Sequence, residues 1–159
     1  MSSPMRPLDR TDRGLVRLLQ ENARRSNKEL AALAGIAPST CSERVRRLEE
    51  EGVFRGFHAD VNPEVLGIGL RAIIAVRLRR HRAGEVEEFT ARAFLLPEVV
   101  SVSHVTGAND FLVHVVVADA GHLRDLAVNS FTAWPEVSHI ETSLVFAHVV
   151  KPGMPDFTD

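Results

Sequence analysis

The sequence predicts an α+β chain in two parts, and three observations predict it. Apolar residues recur at helical spacing through the first fifty positions, beginning with Leu8, Leu15, Val16, Leu18 and Leu19. After Gly52 the period changes to two. Farther on, Pro-Glu-Val at 97–99 returns at 135–137, an offset of 38, each time after an amphipathic helical stretch and at the start of a strand-like one. The expected architecture is an N-terminal (winged) helix-turn-helix over residues 1–52 and a connecting strand or linker over 53–62. A ferredoxin-like βαββαβ domain follows over 63–159.

The first helix has Asp9 to cap it and Asp12 in its first turn, and should end near Asn22. "SNKE" is a capping box: Ser26 is the N-cap and Glu29 stands three residues on, so a second helix opens there, with Leu30, Leu33 and Ala34 expected inside. Gly35 should stop that helix, because a residue without Cβ takes the left-handed conformation cheaply. Pro38 can begin the next helix but not continue the last. The third helix should start between Pro38 and Thr40, where "TCSE" repeats the capping pattern. Cys41, Val45 and Leu48 then face inward and Ser42, Glu43, Arg46, Arg47 and Glu50 outward, with Arg44 on the flank.

A short helix, a glycine turn and a second helix with a small polar N-terminus and a basic outer face suit entry into a DNA major groove. Ser39, Thr40, Ser42 and Arg46 are the expected contacts to base edges. Arg24, Arg25, Lys28, Arg44 and Arg47 are those expected at phosphates. The alternative is a surface helix hairpin laced by ion pairs one helical turn apart.

"VFRGFHADV" alternates and reads as a strand, and "NPEVLG" as a turn into the second part. There, "LRAIIAVRLR" and "DFLVHVVVAD" read as strands. Val86, Phe89, Ala93 and Leu96 line one following helix; Leu123, Leu126, Ala127, Ser130, Phe131 and Trp134 line the other. With residues 107–110 as a hairpin, Val102, His104, Thr106, Phe111, Val113 and Val115 share one sheet face. Ser101, Ser103, Val105, Leu112, His114 and Val116 share the other. The second face stays apolar enough to suggest an interface, although its serines and histidine also suit water.

Net charge is −2, unevenly placed: 11 Lys+Arg face 9 Asp+Glu in residues 1–60, and 8 face 12 thereafter. A basic front on a mildly acidic body suggests polyanion contact at one end. Cys41 is the only cysteine, which excludes a disulfide framework, a zinc ribbon and a CxxC redox pair, and favours a reducing compartment. Neither a secretory leader nor a membrane span is expected, since the longest apolar run, Phe111 to Ala118, is broken by His114. A soluble, cytoplasmic, nucleoid-associated protein is expected.

The segments "LDRTDRGLVRLLQENARRSNKELAALAGI", "STCSERVRRLEEEGVFRGFHADVNPEVLG", "VTGANDFLVHV" and "WPEV" together resemble the Lrp/AsnC (feast/famine) family of prokaryotic transcriptional regulators, over Leu8 to Val150. The resemblance implies a RAM-type C-terminal domain that dimerises sheet to sheet, further assembly to tetramers or octamers, and a small effector, frequently an amino acid, bound between dimers. The family's hairpin usually reads Gly-Asp-x-Asp, whereas Gly107, Ala108, Asn109 and Asp110 stand here, one carboxylate fewer. Thr142 matches the family position near that pocket. In chemical terms Asp110 can accept from an ammonium, and the backbone N–H groups at 107–109 can donate to a carboxylate. A tight turn uses the same residue types, with Asp110 bonding backbone.

The expected partners are therefore duplex DNA, further copies of the chain and an amino-acid effector; no metal or cofactor is expected. Sirohaem decarboxylases resemble the same layout, so an enzyme stays as an alternative, with His58, His104, His114, His139 and His148 as the groups to inspect. A ligand sensor with a head that does not bind DNA is the other.

Overall fold

The structure, a computed structural model, describes residues 6–79, 84–151 and 153–158. Two compact units divide the chain: residues up to Ala59 together with the tail from Val149 form one, and Asp60–His148 the other.

The first unit, the head, holds α1 (Arg10–Glu21), α2 (Asn27–Ala34) and α3 (Pro38–Glu50) around Leu15, Leu19, Leu30, Ala31, Cys41 and Leu48, all buried. Asp9 caps α1 by accepting from the Asp12 N–H at 2.8 Å. At α2 the capping box is complete, with Ser26 and Glu29 each satisfying the other's backbone N–H. Gly35 closes α2 at φ 67°, and the Ile36 N–H returns to the Ala31 carbonyl at 3.0 Å.

Three local expectations are corrected. Leu33 is 60% exposed and Ala31 is buried in its place. The inward arc of α2 is centred between Leu30, Ala34 and Ala31, and Leu33 lies roughly 100° round the helix from that centre. The second capping box does not form: Ala37 precedes the helix and Pro38 opens it, its fixed φ already helical, so Ser39 and Thr40 fall inside the first turn. Residues 53–62 form no strand. Val53 and Phe54 instead pack on the head core, and Phe57 sets its ring 5.3 Å from that of Phe54. Alternation makes a strand only where a second strand supplies its hydrogen bonds.

In the second unit, the body, a 3-10 turn (Pro63–Leu66) capped by Asn62 leads to β1 (Leu70–Leu78). Then follow α4 (Glu85–Ala93), β2 (Val99–His104), β3 (Phe111–Val117), α5 (Ala120–Leu126) with a π turn over Ala127–Phe131, and β4 (Val137–Leu144). The sheet is antiparallel in the order β2-β3-β1-β4, the ferredoxin-like arrangement. Its inner face presents Ala72, Ile74, Val76, Phe111, Val113 and Val115 to the helices. Phe89 stacks on Phe111 at 4.2 Å between ring centres and meets Trp134 edge-on at 5.4 Å. Gly69 is required by close approach: a Cβ there would lie 2.2 Å from the Ala118 carbonyl oxygen.

The repeated Pro-Glu-Val makes the same turn twice. The Val99 N–H bonds the Leu96 carbonyl at 3.1 Å, and the Val137 N–H the Trp134 carbonyl at 3.0 Å. The glutamates then cross over. Glu98, which follows α4, binds His122 on α5 at 2.9 Å, and Glu136, which follows α5, binds Arg92 on α4 at 2.9 Å.

Candidate nucleic-acid interface and hairpin site

The tight glycine turn holds α3 against α2, and the Asn27 side-chain amide donates to the Pro38 carbonyl at 2.8 Å, tying the two helix starts together. With Cys41 and Leu48 fully buried, α3 turns Ser39, Thr40, Ser42 and Arg46 outward. The Arg46 side chain is 69% exposed and holds only a loose pair to Glu50 at 3.2 Å. Arg24 and Lys28 are exposed as well.

The other three arginines expected at phosphates have partners inside the head. Arg25 donates to the Leu18 carbonyl and pairs with Glu21 at 3.1 Å, closing the end of α1. Arg44 reaches Asp9 at 2.6 Å and Asp12 at 2.7 Å, and Arg47 reaches both Asp12 oxygens at 3.2 Å. Arg6 adds a contact to Asp12 at 2.9 Å. Asp12 is thus a fully buried carboxylate held by three guanidiniums. Burial pushes its carboxyl up, but the hydrogen bonds from Arg6 and Arg44 outweigh that and leave it below the ordinary range. A signal for this was present in the sequence: Asp12 lies three and seven residues before Leu15 and Leu19, on the apolar stripe itself.

At the hairpin, Gly107 takes φ 120°, a conformation that favours glycine. The Asp110 N–H donates to the Val76 carbonyl at 2.9 Å, and its Oδ2 accepts from the Leu78 N–H at 2.7 Å. Arg77 Nε donates to the Ala108 carbonyl at 2.6 Å. The hairpin is therefore clasped to the end of β1, and Asp110 already acts as a backbone acceptor. Asn109 is half-buried beside it. Thr142 is not part of this cluster: it is exposed on β4, opposite Ile74, with β1 between it and the hairpin strands.

Among the described residues no group of histidine, cysteine and acidic side chains could hold a metal ion. His139 lies opposite Arg77 on β1, and His104 faces the Phe111 ring at 5.1 Å. No described helix is long and apolar enough to cross a membrane.

A small three-helix head with an exposed polar recognition helix, followed by a βαββαβ body, defines a helix-turn-helix transcriptional regulator. The Lrp/AsnC ligand binding domain profile matches residues 71–155 and the winged helix-turn-helix DNA-binding profile matches residues 8–55; the chain belongs to the Lrp/AsnC family. The HTH-type transcriptional regulator AldR of Mycolicibacterium smegmatis is 42% identical over 144 residues, which cover 91% of this chain and 84% of that protein. Among solved structures, a transcriptional regulator of Neisseria meningitidis in complex with L-methionine superposes with a TM-score of 0.86 at 30% identity, covering 94% of this chain and 97% of that one. A feast or famine regulatory protein of M. tuberculosis complexed with L-methionine gives 0.82 at 32%, covering 94% and 99%. The protein is a DNA-binding regulator of transcription and not an enzyme; the decarboxylase alternative is not favoured.

Proposed function

We propose that Ser39, Thr40, Ser42 and Arg46 read base edges in the major groove while Arg24 and Lys28 hold phosphates, and that Arg25, Arg44 and Arg47 support the head rather than touch DNA. The observation that carries this reading is the division of the α3 arginines: Arg46 points to solvent, and Arg44 and Arg47 are spent on Asp12. The protein acts as a dimer or larger assembly, joined through the outward sheet face that carries Leu112 and Val116. An amino acid bound at residues 107–110 modulates it, with the hairpin backbone and Asp110 as contacts and Thr142 contributing only across an assembly. The methionine carried by two structural relatives supports that ligand class. The protein works in the cytoplasm, on the nucleoid.

Fluorescence anisotropy on DNA from upstream of the protein's own gene tests this reading. Arg46→Ala should weaken binding by roughly tenfold or more, as expected for loss of a bidentate base contact, with an unchanged melting temperature. Arg47→Ala should lower the melting temperature first. Affinity should fall steeply with salt, and added amino acids, methionine first, should shift it. Equal loss of binding for both variants at equal stability would overturn the division of roles.

A further inference from the structure

The outward sheet face is not uniform. At the end of β1 away from the hairpin it holds a concavity of about 160 Å³, lined by Arg71, Ser101, His114, Val116, Val145 and His148. The strand register explains the convergence. Arg71 stands opposite Val116 and His114 opposite Ser101, so Arg71 and His114 are diagonal neighbours on one face. The Val145 N–H bonds the Arg71 carbonyl at 2.9 Å, which brings the segment carrying His148 alongside.

Among the described residues the other arginines of the body have acceptors: Arg77 has the Ala108 carbonyl, Arg79 the Val137 carbonyl, Arg92 the Glu136 carboxylate and Arg124 the Asp125 carboxylate. Among the described residues, the side chains of Arg71, His114 and His148 have none. The walls between them are valine. A half-buried guanidinium beside apolar walls has lost part of its hydration and holds several unused donors. Each imidazole offers an N–H in either tautomer, and Ser101 a hydroxyl. We propose that this concavity binds a small oxyanion, a carboxylate or phosphate group, with Arg71 as the charged anchor and His114, His148 and Ser101 as further donors. The volume suits one such group on a small molecule.

The site is distinct from the hairpin and does not draw on the effector reading. It lies on the face proposed to join two copies, where an uncompensated guanidinium opposes association, so a bound oxyanion also favours the dimer.

Isothermal titration calorimetry on the full chain tests the site, with inorganic phosphate and acetate as separate probes and chloride holding ionic strength constant. Saturable binding of at least one probe is expected, its preference showing whether the site takes a tetrahedral or a planar oxyanion. Arg71→Gln should weaken that binding at least tenfold and His114→Asn severalfold, whereas Arg124→Gln, on α5 at the covered side of the sheet, should leave it unchanged. Melting temperatures in chloride show that each variant is folded. Absence of saturable heat, or an equal response from wild type and Arg71→Gln, overturns the site. So does a dimer that weakens in Arg71→Gln without any response to either probe, because Arg71 is then satisfied by a second copy. Binding by a protein that light scattering shows to be monomeric supports the site and refutes the dimer.

Discussion

Asp12 sets the terms for its neighbours. A carboxylate with no exposed surface survives ionised only where hydrogen-bond donors replace water, and here Arg6, Arg44 and Arg47 supply them. Removing its charge leaves three guanidiniums crowded around a neutral amide. Asp12→Asn should therefore destabilise the head by roughly 3–5 kcal/mol, measured by urea denaturation. The pH dependence has a definite sign. The folded carboxyl lies below its ordinary value, so its contribution is complete above about pH 4, the unfolded value, and disappears as pH falls through the folded one. Asp12→Asn should show a flatter loss of stability in acid than wild type. Residue types alone did not reveal the arrangement. An arginine expected at a phosphate and one holding a buried carboxylate are identical in sequence, and Arg44, Arg46 and Arg47 sort themselves only once α1 is packed across α3.

At the level of single elements, what was readable in the sequence was local. Ser26 and Glu29 are three residues apart and complete their capping box within that span, and Gly35 ends α2 by its own conformation. The two Pro-Glu-Val turns are equally short-range. Alternation over 53–61 pointed to a strand that is absent, because pairing depends on a partner the alternating segment cannot specify. The clasp from Asp110 to Leu78 and the separation of Thr142 from the hairpin likewise depend on β1 lying between β3 and β4. Gly69 belongs to this long-range class too. It sits beside Ala118, whose carbonyl oxygen occupies the space a side chain would need. Gly69→Ala must displace backbone at the start of β1 and should cost roughly 1–3 kcal/mol, read as a lower midpoint of body unfolding.

The chain as a whole divides into two compact units, each with its own core. The body covers one sheet face with α4 and α5, and its other face presents Ile73, Ala75, Leu112 and Val116 between polar neighbours. On the proposed assembly that face is the seam. Leu112→Asp should therefore shift the full-length protein to a lower mass in light scattering at micromolar concentration while changing its circular dichroism little. A mass unaffected by the substitution would locate the contact elsewhere.

Cys41 lies at the end of the first turn of α3 with no exposed surface, and burial pushes its thiol above the ordinary range. Because the chain has no other cysteine, this sulfur is a clock built into the reading head. A maleimide reaches it only when the three-helix core around it opens, so the rate of adduct formation by mass spectrometry counts openings of the head. DNA that clamps α3 slows the clock. Asp12→Asn, which loosens the same core, speeds it, even in solutions where the body remains folded.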